Sequence, residues 1–414
     1  MTTDRLARRL GTGDAVVVGL SAMIGAGVFA AFAPAAATAG SALLTGLGIA
    51  AVIAFCNAVA SAQLAAHHPS SGGTYLFGRE VLGPWWGFLA GWGFVIGKTA
   101  SCAAMAMTFA AYAVPSDGWA QRGAAAGAVL MLTLATMRGI TRTARLAGVL
   151  LAATLLVLLL ALALVTVGDP ASPDPLPDPL AGPDGVRSVL QAAGLLFFAF
   201  AGYARIATLA EEVRRPEVLG QAILVALGVA VVLYAAIGAA LVHALGAGLA
   251  TSEAPLSDAV TAVGAAWAEP VVRIGAAAAC LGALLALLAG VTRTALAMAR
   301  ERDLPTPLAH VDPKHRVPDR AQLALGAAVM VLVLTVDLRG AIGFSSFGVL
   351  VYYAVANLSA LRQPAEQRRW PRALQVLGLS GCLVLAVMLP WTSVLAGLGV
   401  LAVGVLGRLV LRRG

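Results

Sequence analysis

The sequence predicts an all-α integral membrane protein that crosses the bilayer twelve times. Three observations carry that expectation. Of 414 residues, 60% are hydrophobic and 12% are charged, whereas soluble chains carry about 25% charge. Apolar runs, each long enough for the roughly 20 residues that span a bilayer, follow one another almost end to end. The 28 Lys and Arg residues gather on alternate connections, which sets an orientation.

The runs fall at 14–37, 40–66, 84–113, 122–138, 146–168, 188–213, 219–246, 257–299, 320–336, 341–361, 372–389 and 391–411. The fourth and ninth are short, and the eighth begins as a span near Pro270. With the N-terminus inside, the cytoplasmic segments hold, in order, Arg5, Arg8 and Arg9; Arg79; Arg138, Arg142 and Arg145; Arg214 and Arg215; Arg300, Arg302, Lys314, Arg316 and Arg320; Arg362, Arg368, Arg369 and Arg372; and Arg408, Arg412 and Arg413. The outside holds only Arg122, Arg187, Arg273 and Arg339. This asymmetry places both termini in the cytoplasm and accounts for the net charge of +8 without nucleic acid. The first run is too long for a signal peptide, and no small-residue cleavage site leads from it into a soluble domain. The stretch "GDPASPDPLPDPLAGPDG", residues 168–185, reads as an irregular external loop, because proline breaks regular structure and aspartate keeps it solvated.

Two spans are interrupted by glycine. The first reads "SAMIGAGVFAAF", with Gly25 and Gly27 at mid-depth, and the sixth reads "FFAFAGYARIA", with Gly202. Backbone opened inside a membrane survives only where protein or a watery cavity satisfies it. A half-helix starting near Gly27 would aim free N–H groups and its positive dipole end at the midplane, a ready place for a carboxylate. Glycines that let helices pack closely would give the same pattern at one span. Both breaks open a set of five spans, and interrupted segments at matching positions of two halves point to a transporter's binding site. Five spans per half would make the halves inverted repeats. The expected organisation is a cytoplasmic N-terminus (1–13), a first five-helix repeat (14–168), an external loop (169–187), a second repeat (188–361), and two peripheral helices with a cytoplasmic C-terminus (362–414).

Four stretches then become recognisable: "MIGAGVF" (23–29), "HPSSGGTYLFGREVLGPWWGFLAGW" (68–92), "FFAFAGYARIATLAEEVRRP" (197–216) and "TRTALAMARERDLP" (292–305). Their content and order resemble the amino acid–polyamine–organocation superfamily of permeases. The resemblance implies the LeuT-type fold: a 5+5 inverted repeat with helices 1 and 6 interrupted, plus two extra C-terminal helices peripheral to transport. It implies that the backbone of Ile24, Gly25, Ala26 and Gly27 binds a substrate carboxylate. Carbonyls of Phe200, Ala201 and Gly202 would take the α-amino group, and Tyr203 would line or gate the side-chain pocket. Two positions depart from the family pattern. Ala204 stands where many relatives carry an acid, and Thr154 stands where many carry a lysine in place of a sodium ion.

Lys98 lies about 21 Å along its helix from Pro84, at 1.5 Å per residue, too deep to snorkel. It is expected either to bind carbonyls of a broken helix or to act in coupling or substrate binding. Arg205 follows the second break and is expected to gate or to cap carbonyls, and Arg293 to serve a gate or the lipid interface. Cys56, Cys102, Cys280 and Cys382 form no CxxC pair, and the histidines have no metal spacing, so neither metal nor cofactor is indicated. "SSGGT" lacks the GK[ST] ending of a phosphate loop. No cluster of acids or histidines at membrane depth suggests an enzyme.

The function expected is secondary transport of neutral amino acids across the cell membrane by alternating access, coupled to protons or exchange. Amino acid export, cationic amino acid or polyamine transport, and substrate sensing on a transporter fold are the alternatives.

Overall fold

The computed structural model describes residues 11–67, 73–116, 118–139, 144–170, 173–182, 184–203 and 218–412. Among them every regular element is helical. The first apolar run folds as α1 (Thr12–Met23), α2 (Ala26–Ala30) and α3 (Phe32–Ala39), and the second as α4 (Leu43–His67). A short helix, α5 (Thr74–Val81), precedes α6 (Pro84–Ala113), whose first residue is a proline that needs no N–H partner there. α7 (Trp119–Met137), α8 (Ala144–Val167) and α9 (Gly185–Phe200) follow. The second half continues as α10 (Val218–Leu245), the short α11 (Pro255–Ala262), α12 (Glu269–Arg300), α13 (Asp319–Thr335) and α14 (Leu338–Arg362). α15 (Arg372–Met388) and α16 (Trp391–Leu411) complete the described chain. Among the described residues nine segments are long and apolar enough to cross a membrane, and α15 is a shorter apolar helix. This is a multi-pass membrane protein.

α6 is the central helix, packed against α14, α12, α13 and α7. Small residues make that possible. A Cβ on Gly93 would lie 2.9 Å from the Gly348 carbonyl, and one on Gly97 would lie 2.9 Å from the Ser345 carbonyl. The two backbones therefore touch at a G-x-x-x-G face, as membrane helices do when van der Waals packing drives association. Ser101 and Ser345 share a hydrogen bond of 2.6 Å beside it. This contact holds α6 in register and fixes the depth of Lys98, the residue after Gly97.

The loop after α8 is ordered by backbone contacts. Ser41 N donates to Pro177 O at 3.0 Å, and Ala247 N donates to Asp174 O at 2.8 Å. Gly40 and Gly246, at φ 46° and 50°, let those carbonyls approach. The segment is irregular apart from one 3₁₀ turn at Pro179–Ala181, and it straps the ends of α3 and α10.

At the opposite end a buried carboxylate organises the chain. Asp303, beyond α12, is 1% exposed. It accepts from Arg79 at 3.0 Å, Tyr75 Oη at 2.9 Å, Arg408 Nε at 2.8 Å and Arg412 at 3.3 Å. Arg408 also donates to Pro84 O at 2.9 Å and lies over the Trp85 ring, 4.3 Å from its centroid. Helix α16 was expected to be peripheral. Most of its surface is exposed, but Arg408 reaches inward and joins it to α5, α6 and the exit of α12. Two of the stretches that carry the family likeness, 68–92 and 292–305, meet at this aspartate.

Removing one partner of a buried ion pair strands the other charges. Asp303→Asn is expected to destabilise the protein by about 3–5 kcal/mol, read as a lowered thermal unfolding temperature in detergent. Glu366→Gln, at an exposed position, serves as the comparison with little effect.

Candidate functional site

The break in the first span is an inverse γ-turn. Gly25 N donates to Met23 O at 2.9 Å across Ile24, whose φ and ψ are −81° and 71°. The unwound residues are thus Ile24 and Gly25, one step before the position read from the glycines. Ala26 and Gly27 already begin the next helix. α2 runs on into α3 through Ala31, which is helical, with Ala31 N donating to Gly27 O and Ala35 N to Ala31 O. A bend at Ala31 follows from Pro34, whose ring displaces the Ala30 carbonyl. The first-turn N–H groups of this 26–39 helix have no acceptor within it. Ile24 N and Gly25 N are already bonded, to Leu20 O at 2.7 Å and to Met23 O. The donors that remain for a carboxylate are therefore those of Ala26, Gly27 and the residue after.

The described helix ends at the position where the sequence expects the second break, and the residues after Tyr203 lie outside the described residues. α9 ends at Phe200, and Ala201–Tyr203 form a tight 3₁₀ turn. The two breaks touch. A Cβ on Gly202 would collide with the Ala22 carbonyl, and one on Gly27 would lie 2.5 Å from Ala199 Cα. Both glycines are consequently sites of close approach as well as of opened backbone. Gly25, Ala26 and Gly27 are buried, as are Ala201 and Tyr203, while Gly202 keeps partial exposure.

Two side chains tie the breaks together. Tyr234, on α10, is fully buried, and its hydroxyl lies 2.7 Å from Met23 O and 3.1 Å from Ala199 O. One O–H proton is shared between the carbonyl ends of α1 and α9. Lys98 Nζ donates to Ala201 O at 3.0 Å. The lysine thus reaches the second break, as a partner of broken-helix carbonyls. Thr154 is buried on α8, which packs against α1, and its hydroxyl donates to Leu150 O of its own helix at 2.7 Å. Ala204 and Arg205 lie outside the described residues. Arg293 is exposed on α12, as a lipid-interface residue would be.

Tyr203 stacks on Tyr353 of α14, with ring centroids 5.0 Å apart, and Tyr353 meets Tyr352 and Phe197 edge to face. Behind this aromatic wall lie Asn57 and Asn357, joined by a 2.6 Å hydrogen bond. On the side of the 173–182 strap the site is closed. Tyr112 donates to Phe29 O at 3.3 Å and accepts from Leu256 N at 3.3 Å, and Arg339 donates to Thr38 at 2.9 Å. Sequence reasoning missed Tyr234, Tyr112 and Tyr353. A lone tyrosine in an apolar span is the signal available, since a buried phenol needs a partner. Among the described residues no group of three His, Cys, Asp or Glu side chains could hold a metal ion.

Paired, touching helix breaks in an all-helical membrane protein define a transporter rather than a soluble binding module. The sequence profile of the amino acid permease family matches residues 10–406, and the chain belongs to that family. An uncharacterised transporter of Mycobacterium tuberculosis is 54% identical over 404 residues, covering 97% of this chain and 91% of the relative. A branched-chain amino acid permease of Bacillus subtilis is 27% identical over 96% of this chain and 92% of its own length. The human cationic amino acid transporter 4 is 29% identical over 86% of this chain and 60% of its own length. The motif likeness is thereby accounted for, and family and relatives indicate a transporter of amino acids rather than an enzyme.

Tyr234→Phe removes the one hydroxyl shared by Met23 O and Ala199 O. A buried acceptor left without a donor costs about 1–3 kcal/mol, so a comparable loss of thermal stability is expected in a detergent melt. Gly202→Ala is expected to be worse, because its Cβ would meet backbone that cannot rotate away.

Proposed function

We propose that the protein is a secondary transporter of neutral amino acids in the cell membrane, working by alternating access, with both termini in the cytoplasm. One observation carries this reading: the N-terminal end of the 26–39 helix and the carbonyl end of α9 lie against each other inside the membrane. A zwitterion needs such opposed partial charges. Its carboxylate would dock on the first break, from Ile24 and Gly25 to the amides of Ala26 and Gly27. Its ammonium would lie toward the carbonyls of Phe200, Ala201 and Gly202, and its side chain against Tyr203 and Ala204. Twelve crossings in two inverted five-helix repeats plus α15 and α16 fit the family and the order of helices. The segments holding the breaks, with α4 and α10, would rock against α6, α7, α12 and α13. The sealed strap side and the partial exposure of Gly202 suit a state closed to the outside.

A neutral substrate is favoured because no described carboxylate bonds to either break, whereas arginine or a polyamine would need one. The relative named a branched-chain amino acid permease agrees with this, and those named cationic amino acid transporters keep the cationic alternative in the test. Lys98 supplies a cation, fixed or titratable, beside the second break, and on this reading transport needs no sodium. Arg205 and Thr154 remain candidates for gating.

Labelled leucine in proteoliposomes is expected to show counterflow, with uptake accelerated by unlabelled amino acid inside. A channel or a sensor would show no such acceleration. Replacing sodium by choline is expected to leave the rate unchanged, and a strict sodium requirement would remove Lys98 from its role. Counterflow with arginine or putrescine and none with neutral amino acids would overturn the substrate assignment.

A further inference from the structure

Lys98 stands midway along α6 and is 7% exposed. Its ammonium is bonded to Ala201 O, at the carbonyl end of a helix, where the macrodipole attracts a cation. Among the described residues no carboxylate forms an ion pair with it. Cys102, one turn further along α6, is the ionisable group within its electrostatic reach. The elements packed against α6 bring Tyr352 and Tyr353 from α14, Cys280 from α12 and Tyr203 from beyond α9, none of them a carboxylate. The charged side chains of those helices lie toward their ends, apart from Arg293 on the outer surface of α12.

Three further acceptors beside Ala201 O are already engaged, which leaves Phe200 O and Gly202 O next to the lysine. Ala199 O and Met23 O share the Tyr234 hydroxyl, and Phe198 O accepts from Ala201 N. A substrate ammonium arriving at this end of the site therefore meets a resident ammonium on the same small set of carbonyls. Two cations there, with no counter-ion between them among the described residues, repel strongly in a water-poor surrounding. The substrate's charge cannot be removed without spoiling its recognition. The lysine's can: Lys98 passes one proton to water admitted with the substrate and becomes a neutral amine.

We propose that the Lys98 proton and the substrate ammonium are alternative occupants of the carbonyl end of α9, which makes the protein a proton–amino acid antiporter. This rests on the reading that an amino acid binds between the breaks. The balance is one amino acid bound and one proton released on the same side of the membrane. After the substrate leaves on the other side, Lys98 takes a proton there and returns loaded. A proton gradient directed into the cell then drives amino acid outward. Sequence alone left direction and coupling open, and mutual exclusion at one carbonyl end decides both.

The test uses the full-length protein with leucine as the probe. In proteoliposomes, an interior more acidic than the bath is expected to drive leucine accumulation, and an alkaline interior is expected to drive none. In weakly buffered detergent solution, leucine binding is expected to release about one proton per site. Its apparent Kd is expected to rise about tenfold for each pH unit over which Lys98 becomes charged. Lys98→Met is expected to bind leucine with a Kd that no longer varies with pH and to release no proton. Lys98→Arg keeps a donor for Ala201 O and cannot deprotonate, so it is expected to fold and to bind leucine at least about tenfold more weakly. Accumulation driven by an alkaline interior, or unchanged proton release in Lys98→Met, overturns antiport while leaving amino acid transport standing. Absence of binding and counterflow for every neutral amino acid overturns the transport reading and this inference with it.

Discussion

Everything in this protein turns on backbone opened inside a membrane. Hydrocarbon offers no hydrogen bonds, so the broken ends of two helices must be satisfied by protein or by what the protein binds. The chain meets that constraint by pressing the two breaks together. The inverse γ-turn at Ile24 uses the Gly25 amide internally. Tyr234 serves one carbonyl from each break, and Lys98 serves a third. What is left with the fewest internal partners is the first turn of the 26–39 helix. Satisfying the carbonyls with resident side chains and leaving amides at the opposite side of the contact gives the site its polarity.

The supporting structure has the same economy. α6 carries Lys98 to the break because Gly93 and Gly97 let it lie directly on α14 at Gly348. Asp303 fixes the far end of the same assembly by drawing Arg79, Arg408 and Arg412 onto one carboxylate. Three arginines around one buried acid hold α5, α6, the end of α12 and α16 together, so the last helix is attached to the part that carries Lys98. The other end is closed by Tyr112, by Arg339 on Thr38 and by the proline-rich strap. Attachment at one face and closure at the other suit a carrier whose moving part holds the two breaks.

Much of this was legible in the sequence. Apolar length gave the helices, Gly25 and Gly27 marked the interruption of the first span, and Gly202 marked a close approach at the end of α9, because glycine is where a membrane helix opens or is closely approached. The break at Ile24–Gly25 lies one residue before the position read from the glycines, since the γ-turn depends on ψ at Ile24, which glycine spacing does not encode. The partners of the breaks were less legible. Lys98 stood out as a charge, but its acceptor on a segment 103 positions away could only follow from how α6 crosses α14. Tyr234 looked like one more bulky residue in "VVLYAAIG". The cluster at Asp303 was hidden because its charged members sit in separate stretches at the ends of spans and read there as ordinary solvated charges.

The central claim is that a zwitterion bridges the two breaks, with its carboxylate on the amides of the 26–39 helix. The most direct measurement compares the Kd of the neutral amino acid that exchanges fastest with the Kd of its amide, which keeps the ammonium and side chain but lacks the carboxylate charge. The account predicts that the amide binds at least about tenfold more weakly, a difference of about 1.4 kcal/mol. Equal affinity for acid and amide would contradict it.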